Sequence, residues 1–198
     1  MLVTVHALGQ AEIEVGRTRI APTSTKKFAF LLFLASERGR RVPRSALQEL
    51  LFPDAEDKSA AHALRELIYQ LRHGRVPLET DKASVGLSAE AVRSDFSEVV
   101  EAEVLDERQV RAVEGGFLPG YAPSFSRPFA EWLDGYRAKV SREISSSLLM
   151  RARRFRDDGR VGEATRLARS ENHRFLESNE DHCHKYPPAD CAHAPNYS

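Results

Sequence analysis

The stretch LFPDAEDKSAAHALRELIYQLRHG, residues 51–74, carries the pattern that decides the fold. Pro53 ends one predicted helix, and after a polar loop a second is expected from about Ser59 to His73. At about 100° per residue around the helix axis, the apolar side chains of this second helix share one arc. They are Leu64, Leu67, Ile68 and Leu71. The arc predicts a helix with one face in the core and the opposite face in water.

The opposite face of this predicted helix is rich in hydrogen-bonding groups. Its centre carries Ser59, His62, Glu66, Tyr69 and His73, and its flanks carry Arg65, Gln70 and Arg72. A helix that reads DNA needs such a surface, because its outer face must offer donors and acceptors to base edges while its flanks reach phosphates. A solvated amphipathic helix has the same general pattern, so the neighbouring elements have to decide between the two.

Upstream, residues 3–20 alternate apolar and polar side chains between glycine turns, which predicts an antiparallel meander. One helix follows and is expected to end at Gly39. The next is expected to hold Pro43 just inside its first turn. The chain around this N-terminus carries Arg40, Arg41 and Arg44. These cations, together with free N–H groups at the helix start, predict an anion site.

Downstream, Gly74 is expected to cap the decisive helix, and residues 78–87 are expected to form a hairpin. Lys82 lies in its turn, where a cation can meet phosphate or enter the minor groove. Strands, three helices and a hairpin, in that order, predict an α+β winged helix-turn-helix domain over residues 1–94.

From residue 95 the pattern becomes all-helical. Short helices are expected over 95–103 and 106–114, followed by a long amphipathic helix over 128–158. Trp132 anchors the apolar stripe of the long helix, and this stripe is expected to pack against the helices around Phe96 and Val110. Residues 171–198 have no apolar period and contain both cysteines and four of the seven histidines. They are expected to be a disordered tail.

These residues resemble a known family of bacterial regulators. Residues 1–95 resemble the OmpR/PhoB-type winged helix in the form found in the Streptomyces antibiotic regulatory protein (SARP) family, through Leu51-Phe52-Pro53-Asp54 and the run from Ala60 to Arg72. Residues 95–170 resemble the bacterial transcriptional activator domain, a tetratricopeptide-like (TPR-like) helical domain. The residues that carry this second likeness are Asp95-Phe96, Phe117-Leu118-Pro119-Gly120, Phe129, Trp132-Leu133, Arg137, Gly159 and Glu163-Ala164.

The resemblance implies that the helix over 59–73 reads the major groove and that the hairpin is the wing. It implies a helical domain that supports self-association and activation of transcription, with double-stranded DNA, RNA polymerase and a second copy of the chain as partners. That domain usually continues through several more helices, so the abrupt change after Ser170 suggests a truncated or frame-shifted reading frame.

The candidate DNA-contacting residues are Arg40, Arg41, Arg44, Lys58, Ser59, His62, Arg65, Glu66, Tyr69, Gln70, Arg72, His73 and Lys82. Lys and Arg number 29, and so do Asp and Glu, so the whole-chain charge is zero and a DNA contact must come from this local patch. We expect no enzyme, cofactor or metal site, because phosphate-binding, hydrolase and zinc motifs are missing. We also expect no membrane partner and a cytoplasmic location.

Neutral charge and the acidic Glu66 leave a rival hypothesis open. In it the winged helix has lost DNA binding, and the chain is a protein-interaction adaptor built on the helical domain.

Overall fold

The structure is a computed structural model that describes residues 1–165 and Leu167. It has an α+β fold with two small sheets and several helices. The elements in chain order are β1 (Val3–His6), β2 (Glu12–Val15), β3 (Thr18–Ile20), α1 (Thr25–Ser36), β4 (Val42–Pro43), α2 (Arg44–Leu51), α3 (Asp57–His73), β5 (Leu78–Thr80), β6 (Ser84–Leu87), β7 (Val92–Ser94), α4 (Asp95–Glu101), α5 (Glu107–Glu114) and α6 (Arg127–Asp157). Residues 161–165 are again helical. The predicted tail, 171–198, lies outside the described residues.

The first sheet contains the predicted meander and one strand that the alternation did not indicate. Its order is β3-β2-β1-β7, with β1, β2 and β3 antiparallel and β7 parallel to β1. Val3 pairs with Val15 and Val5 with Ile13, and all four side chains are buried. The register therefore turns one face of the sheet into the core, as period-two alternation requires.

The second sheet has the order β4-β6-β5 and contains the predicted hairpin. One expectation is wrong here. Pro43 lies in β4, with φ −56° and ψ 140°, and helix α2 begins one residue later, at Arg44. The extended backbone of Pro43 pairs with Ser84 of β6, so the residue that was expected in the first turn of a helix belongs to a strand instead.

Helix α3 has the core face that its sequence predicts. Leu64, Leu67, Ile68 and Leu71 are all buried, and Ala60 joins them. The four larger side chains belong to one apolar cluster with α1, which buries residues all around its axis. Gly74 is the C-cap of α3, as expected, but its φ is −71°, and the positive φ of 61° belongs to Arg75, the residue that follows.

The predicted domain boundary at residue 94/95 remains a prediction, but packing crosses it. The apolar cluster around α1 also contains Tyr121, Phe129 and Leu133. The Ser126 hydroxyl donates to the carbonyl oxygen of Leu50 at 2.6 Å. A second cluster joins α4 and α5 to the later turns of α6, so the long helix begins against the first cluster and ends in the second.

The apolar stripe of α6 packs against α4 and α5 as expected only in its later turns, where Val140 and Ile144 share a cluster with Phe96 and Val113. Trp132, nearer the start of the helix, packs against α1 instead. Its ring lies 4.9 Å from Phe33 of α1 in an edge-to-face arrangement and stacks on Tyr136 at 5.2 Å. The indole is half-buried and belongs to the α1 cluster, whereas Phe96 lies in the second cluster. The 3.6-residue period placed Trp132 on the buried stripe correctly, but it cannot say which neighbour covers each turn. Among the described helices, none combines the length and apolar character needed to cross a bilayer.

Candidate nucleic-acid interface

The outer face of α3 lies open to solvent along its length. Ser59, His62, Glu66, Tyr69 and His73 are all exposed, and Tyr69 has 65% of its surface accessible. Because the opposite face is fixed by five buried side chains, the helix presents these groups on a rigid support.

A shallow groove runs along one flank of α3, between this helix and the start of α2. Its lining residues are Arg44, Arg65, Ile68, Tyr69, Arg72 and His73. Three of the six are arginines, and none is acidic. The rings of Tyr69 and His73 stack at a centroid distance of 6.1 Å beside it. The groove therefore joins guanidinium groups to a flat aromatic surface.

Arg44 ties this groove to the hairpin. Its backbone N–H donates to the carbonyl oxygen of Ala83 at 2.8 Å. Its guanidinium donates from Nε and Nη2 to the carbonyl oxygen of Asp81, at 3.2 and 2.9 Å. The anion site expected at the N-terminus of α2 is therefore not fully open, because the hairpin turn already accepts the first N–H of that helix.

The hairpin turn is shaped by the Asp81 carboxylate. Oδ1 accepts from the backbone N–H groups of Ala83 and Ser84, each at 2.7 Å, and Oδ2 accepts from the Ser84 hydroxyl at 3.0 Å. These hydrogen bonds, with a smaller contribution from the charge of Arg41, lower the pKa of Asp81. Lys82 is left exposed at the tip of the turn.

The candidate cations differ in how free they are. Arg40 lies 3.4 Å from Glu37, and Arg41 lies 3.2 Å from the Asp81 carboxylate, so an acidic side chain already neutralises each. Arg65 donates from Nε to the carbonyl oxygen of Ala61 at 3.1 Å. Within the part of the chain that the structure describes, no carboxylate pairs with the remaining candidate cations of this surface, Arg44, Lys58, Arg65, Arg72 and Lys82.

On the other flank of α3, two candidate residues bind each other. The side-chain Nε2 of Gln70 donates to Oε1 of Glu66 at 2.8 Å. Both side chains are exposed. The pairing occupies one oxygen of the Glu66 carboxylate.

Two residues of this surface are absent from the candidates that the sequence indicates. Arg75 is exposed and follows α3 directly, with its N–H donating to the carbonyl oxygen of Arg72 at 2.9 Å. The sequence pattern does not single it out, because Gly74 is expected to end the helix and its surface. Asp81 is not among the candidates either, although an aspartate three residues before a serine is a common signature of a side-chain-stabilised turn.

Metal chemistry finds no support in the described residues. No group of three or more His, Cys, Asp and Glu side chains among them is placed to hold an ion. The histidines and cysteines of the tail, for which a structural zinc site was not expected, lie outside residues 1–165.

Comparison with protein-family models gives no match to this chain, and comparison with curated proteins gives no match either. The likeness to the SARP-type regulators therefore rests on the quoted residues alone and stays a prediction. The function has to be argued from the geometry of α3, the groove and the hairpin.

Proposed function

We propose that the protein is a sequence-specific double-stranded-DNA-binding regulator of transcription, without catalytic activity. The observation that carries this proposal is the continuity of one basic surface. It runs from the flank of α3 through the groove to Arg44, and from Arg44 to the turn that holds Lys82. The net charge of the whole chain is zero, and yet cations without acidic partners cluster beside the exposed polar face of α3. Electrostatic attraction to phosphate is therefore expected at this one surface.

In this proposal α2 and α3 form a helix-turn-helix, and β5 and β6 form the wing of a winged-helix domain. The outer face of α3 enters the major groove, which is wide enough to admit a helix. Tyr69 and His62 then lie nearest the base edges, while Arg44, Arg65 and Arg72 meet phosphates along one strand. Lys82 reaches the neighbouring backbone or minor groove from the hairpin tip.

The helical region from α4 onward is proposed to be the SARP-type, TPR-like activator domain. Its packing on the α1 cluster through Phe129 and Leu133 supports a role in fixing the orientation of α1–α3 relative to further partners. A second copy of the chain on DNA and RNA polymerase are the partners proposed for it, and the cytoplasm is the proposed location.

A salt titration of the full chain tests the proposal. Binding to random duplexes is measured at several salt concentrations, and a selected duplex is then compared with the random pool. We expect affinity to fall steeply with salt, because cations that neutralise phosphates release counterions. We also expect the selected duplex to bind about a thousandfold or more tightly than the pool. No salt-dependent binding to either duplex would contradict a DNA-binding function.

The adaptor hypothesis remains the second candidate, favoured by exposed apolar side chains on α6 and just after it. Met150 is 69% accessible, Leu149 is 43% accessible and Val161 is 62% accessible. Arg40 and Arg41, which were expected on DNA, are held by acidic neighbours. If the salt titration finds no DNA binding, these apolar residues become the primary surface to test against protein partners.

A further inference from the structure

The hydrogen bond between Glu66 and Gln70 uses the amide nitrogen of Gln70 and leaves the amide oxygen free. An ionised carboxylate only accepts hydrogen bonds, so the contact at 2.8 Å must be made by the amide nitrogen of Gln70 and not by its oxygen. A glutamine amide has two N–H groups, of which one lies on the same side as the carbonyl oxygen and the other on the far side. When the far N–H binds Glu66, the oxygen and the near N–H remain free on one edge.

That free edge is the one that reads adenine. In the major groove adenine offers the N6 amino group as donor and N7 as acceptor, and a glutamine amide binds both at once. The oxygen of Gln70 would accept from N6, and its near N–H would donate to N7. Neither group is needed for the bond to Glu66, so both contacts can be made together.

The positions of the two residues on α3 favour this role. At about 100° per residue, Glu66 lies about 40° closer to the middle of the outer face than Gln70 does. The bond therefore draws the Gln70 amide from the flank towards the face that would enter the groove. It also restricts a side chain with three rotatable torsions before any base is met, which lowers the ordering entropy lost on binding.

We propose that Gln70 is a specificity-determining residue for adenine and that Glu66 is the positioning residue that orients it. This inference rests on the proposed DNA-binding function and names part of the sequence that the protein reads. In this inference Glu66 acts through Gln70 and not directly on a base, since one oxygen of its carboxylate is occupied by Gln70.

The test is selection of binding sites from a random duplex pool, carried out with the full chain and four variants. Gln70→Ala removes the reading edge. Glu66→Ala removes the acceptor that orients it, whereas Glu66→Gln keeps an acceptor oxygen and removes the charge. Glu131→Ala is the matched control, because Arg127 of α6 donates to Glu131 at 2.8 Å across the same four-residue spacing on a different exposed helix surface.

For the unaltered chain we expect one position of the selected site to prefer adenine by about tenfold or more. Gln70→Ala should abolish the preference at that position and leave the others. Glu66→Ala should weaken it several-fold, and Glu66→Gln should restore it while raising affinity for all duplexes, because a negative charge near phosphate is removed. Glu131→Ala should match the unaltered chain.

Several results would overturn the inference. One is that the duplexes selected by Gln70→Ala still prefer adenine at the same position. Another is that Glu66→Gln loses this preference as fully as Glu66→Ala does. In both cases salt-dependent binding survives, so the proposed function stands and only the inference fails. Absence of any DNA binding by the unaltered chain overturns both.

Nuclear magnetic resonance of the free protein checks the orientation without DNA. The two side-chain amide protons of Gln70 should be well separated in shift when one of them binds a carboxylate. Glu66→Ala should move them together, and Glu131→Ala should leave them in place. Unchanged Gln70 signals in Glu66→Ala would contradict a positioning role for Glu66.

Discussion

Arg44 and Asp81 lie 37 residues apart in the chain, and yet the guanidinium of the first donates two hydrogen bonds to the backbone carbonyl of the second. This interaction joins the first residue of α2 to the turn between β5 and β6. Arg44 also lines the groove beside α3. One side chain therefore sets where the hairpin tip stands relative to the exposed helix, which is the spacing that matters if both meet the same duplex.

Replacing Arg44 with alanine should loosen the hairpin and weaken DNA binding together. We expect amide hydrogen exchange to accelerate at residues 81–84, since two hydrogen bonds to the turn are removed. We expect affinity to fall for specific and random duplexes alike, with the salt slope reduced by about 0.9 for each phosphate that is no longer neutralised. Arg40→Ala is the control, because Glu37 neutralises Arg40. Equal effects in the two variants would argue against a special role for Arg44.

Arg72 and Lys82 should behave as phosphate-binding residues. Both are exposed, and among the described residues neither has an acidic partner. Arg72→Ala and Lys82→Ala should each reduce the salt slope by about 0.9 and leave the preference between duplexes unchanged. Arg41→Ala should change the slope less, because Arg41 faces the Asp81 carboxylate at 3.2 Å. Binding titrations at several salt concentrations measure the slopes, and a change of base preference in Arg72→Ala would assign that residue to base reading.

The sequence predicts the elements around α3 well because short-range signals place them. Period and propensity place α3, its core face and the hairpin within two residues of their bounds, since these depend on neighbours in the chain. The sequence does not predict β7, which pairs in parallel with β1 through residues some 90 positions apart. Nor does it place Pro43 in β4, because strand pairing with Ser84 overrides a local preference for a helix start.

The sequence predicts that the individual candidate residues are exposed, but it does not predict which of their charged side chains contact each other. All the candidates are exposed except Arg44, which is half-buried. What the sequence does not supply is which charges neutralise each other. Arg41 and Asp81 meet only because the hairpin folds back onto the segment before α2, and that ion pair depends on tertiary packing. Glu66 and Gln70 could have been paired from their four-residue spacing alone.

Truncating Trp132 should destabilise the chain less than truncating a fully buried aromatic residue. The indole is half-buried against Phe33, Phe129 and Tyr136. Trp132→Ala should lower the free energy of unfolding by about 2–3 kcal/mol, below the 3–5 kcal/mol typical of a full core site. Trp132→Phe should recover much of this stability, because a smaller ring still meets the edge of Phe33. Denaturant unfolding followed by circular dichroism measures both.

The same ring pair gives a local probe of how α6 sits on α1. Trp132 is the one tryptophan of the chain, so tryptophan fluorescence reports the surroundings of this single indole, of which Phe33 is a part. Phe33→Leu should shift its emission to longer wavelength, and Phe125→Leu, which alters a ring next to Phe129 rather than the indole, should shift it less. An emission maximum unmoved by Phe33→Leu would mean that Trp132 does not rest on α1.

The Asp95 side chain, at the start of α4, accepts hydrogen bonds from the backbone that follows β1. Removing its carboxylate should therefore strongly destabilise the fold. Its carboxylate accepts the N–H of Ala7 with both oxygens, at 3.0 and 2.9 Å, and the N–H of Leu8 at 2.9 Å. It also accepts the N–H of Phe96 at 2.7 Å. Asp95→Ala leaves three partly buried donors without this acceptor and should lower the free energy of unfolding by about 2–4 kcal/mol. Glu98→Ala, which removes an exposed carboxylate from the same turn, should cost less than about 1 kcal/mol.

The difference in the free energy of unfolding between the unaltered chain and Asp95→Ala should depend on pH, because Asp95 is largely buried. Desolvation raises its pKa above the ordinary 3.8, outweighing the backbone hydrogen bonds and the nearby His6, which lower it. An acid whose pKa is higher in the folded state binds its proton more tightly there, so its contribution to stability is full below pH 3.8 and declines as pH rises through the folded-state pKa. Asp95→Ala has no proton to lose at this position. The stability gap between the unaltered chain and the variant should therefore narrow as pH rises from below 3.8 through that pKa, and then stay constant. Denaturant midpoints of both proteins across this range measure the gap, and a gap that widens with pH would show that the three N–H groups outweigh the burial of the charge.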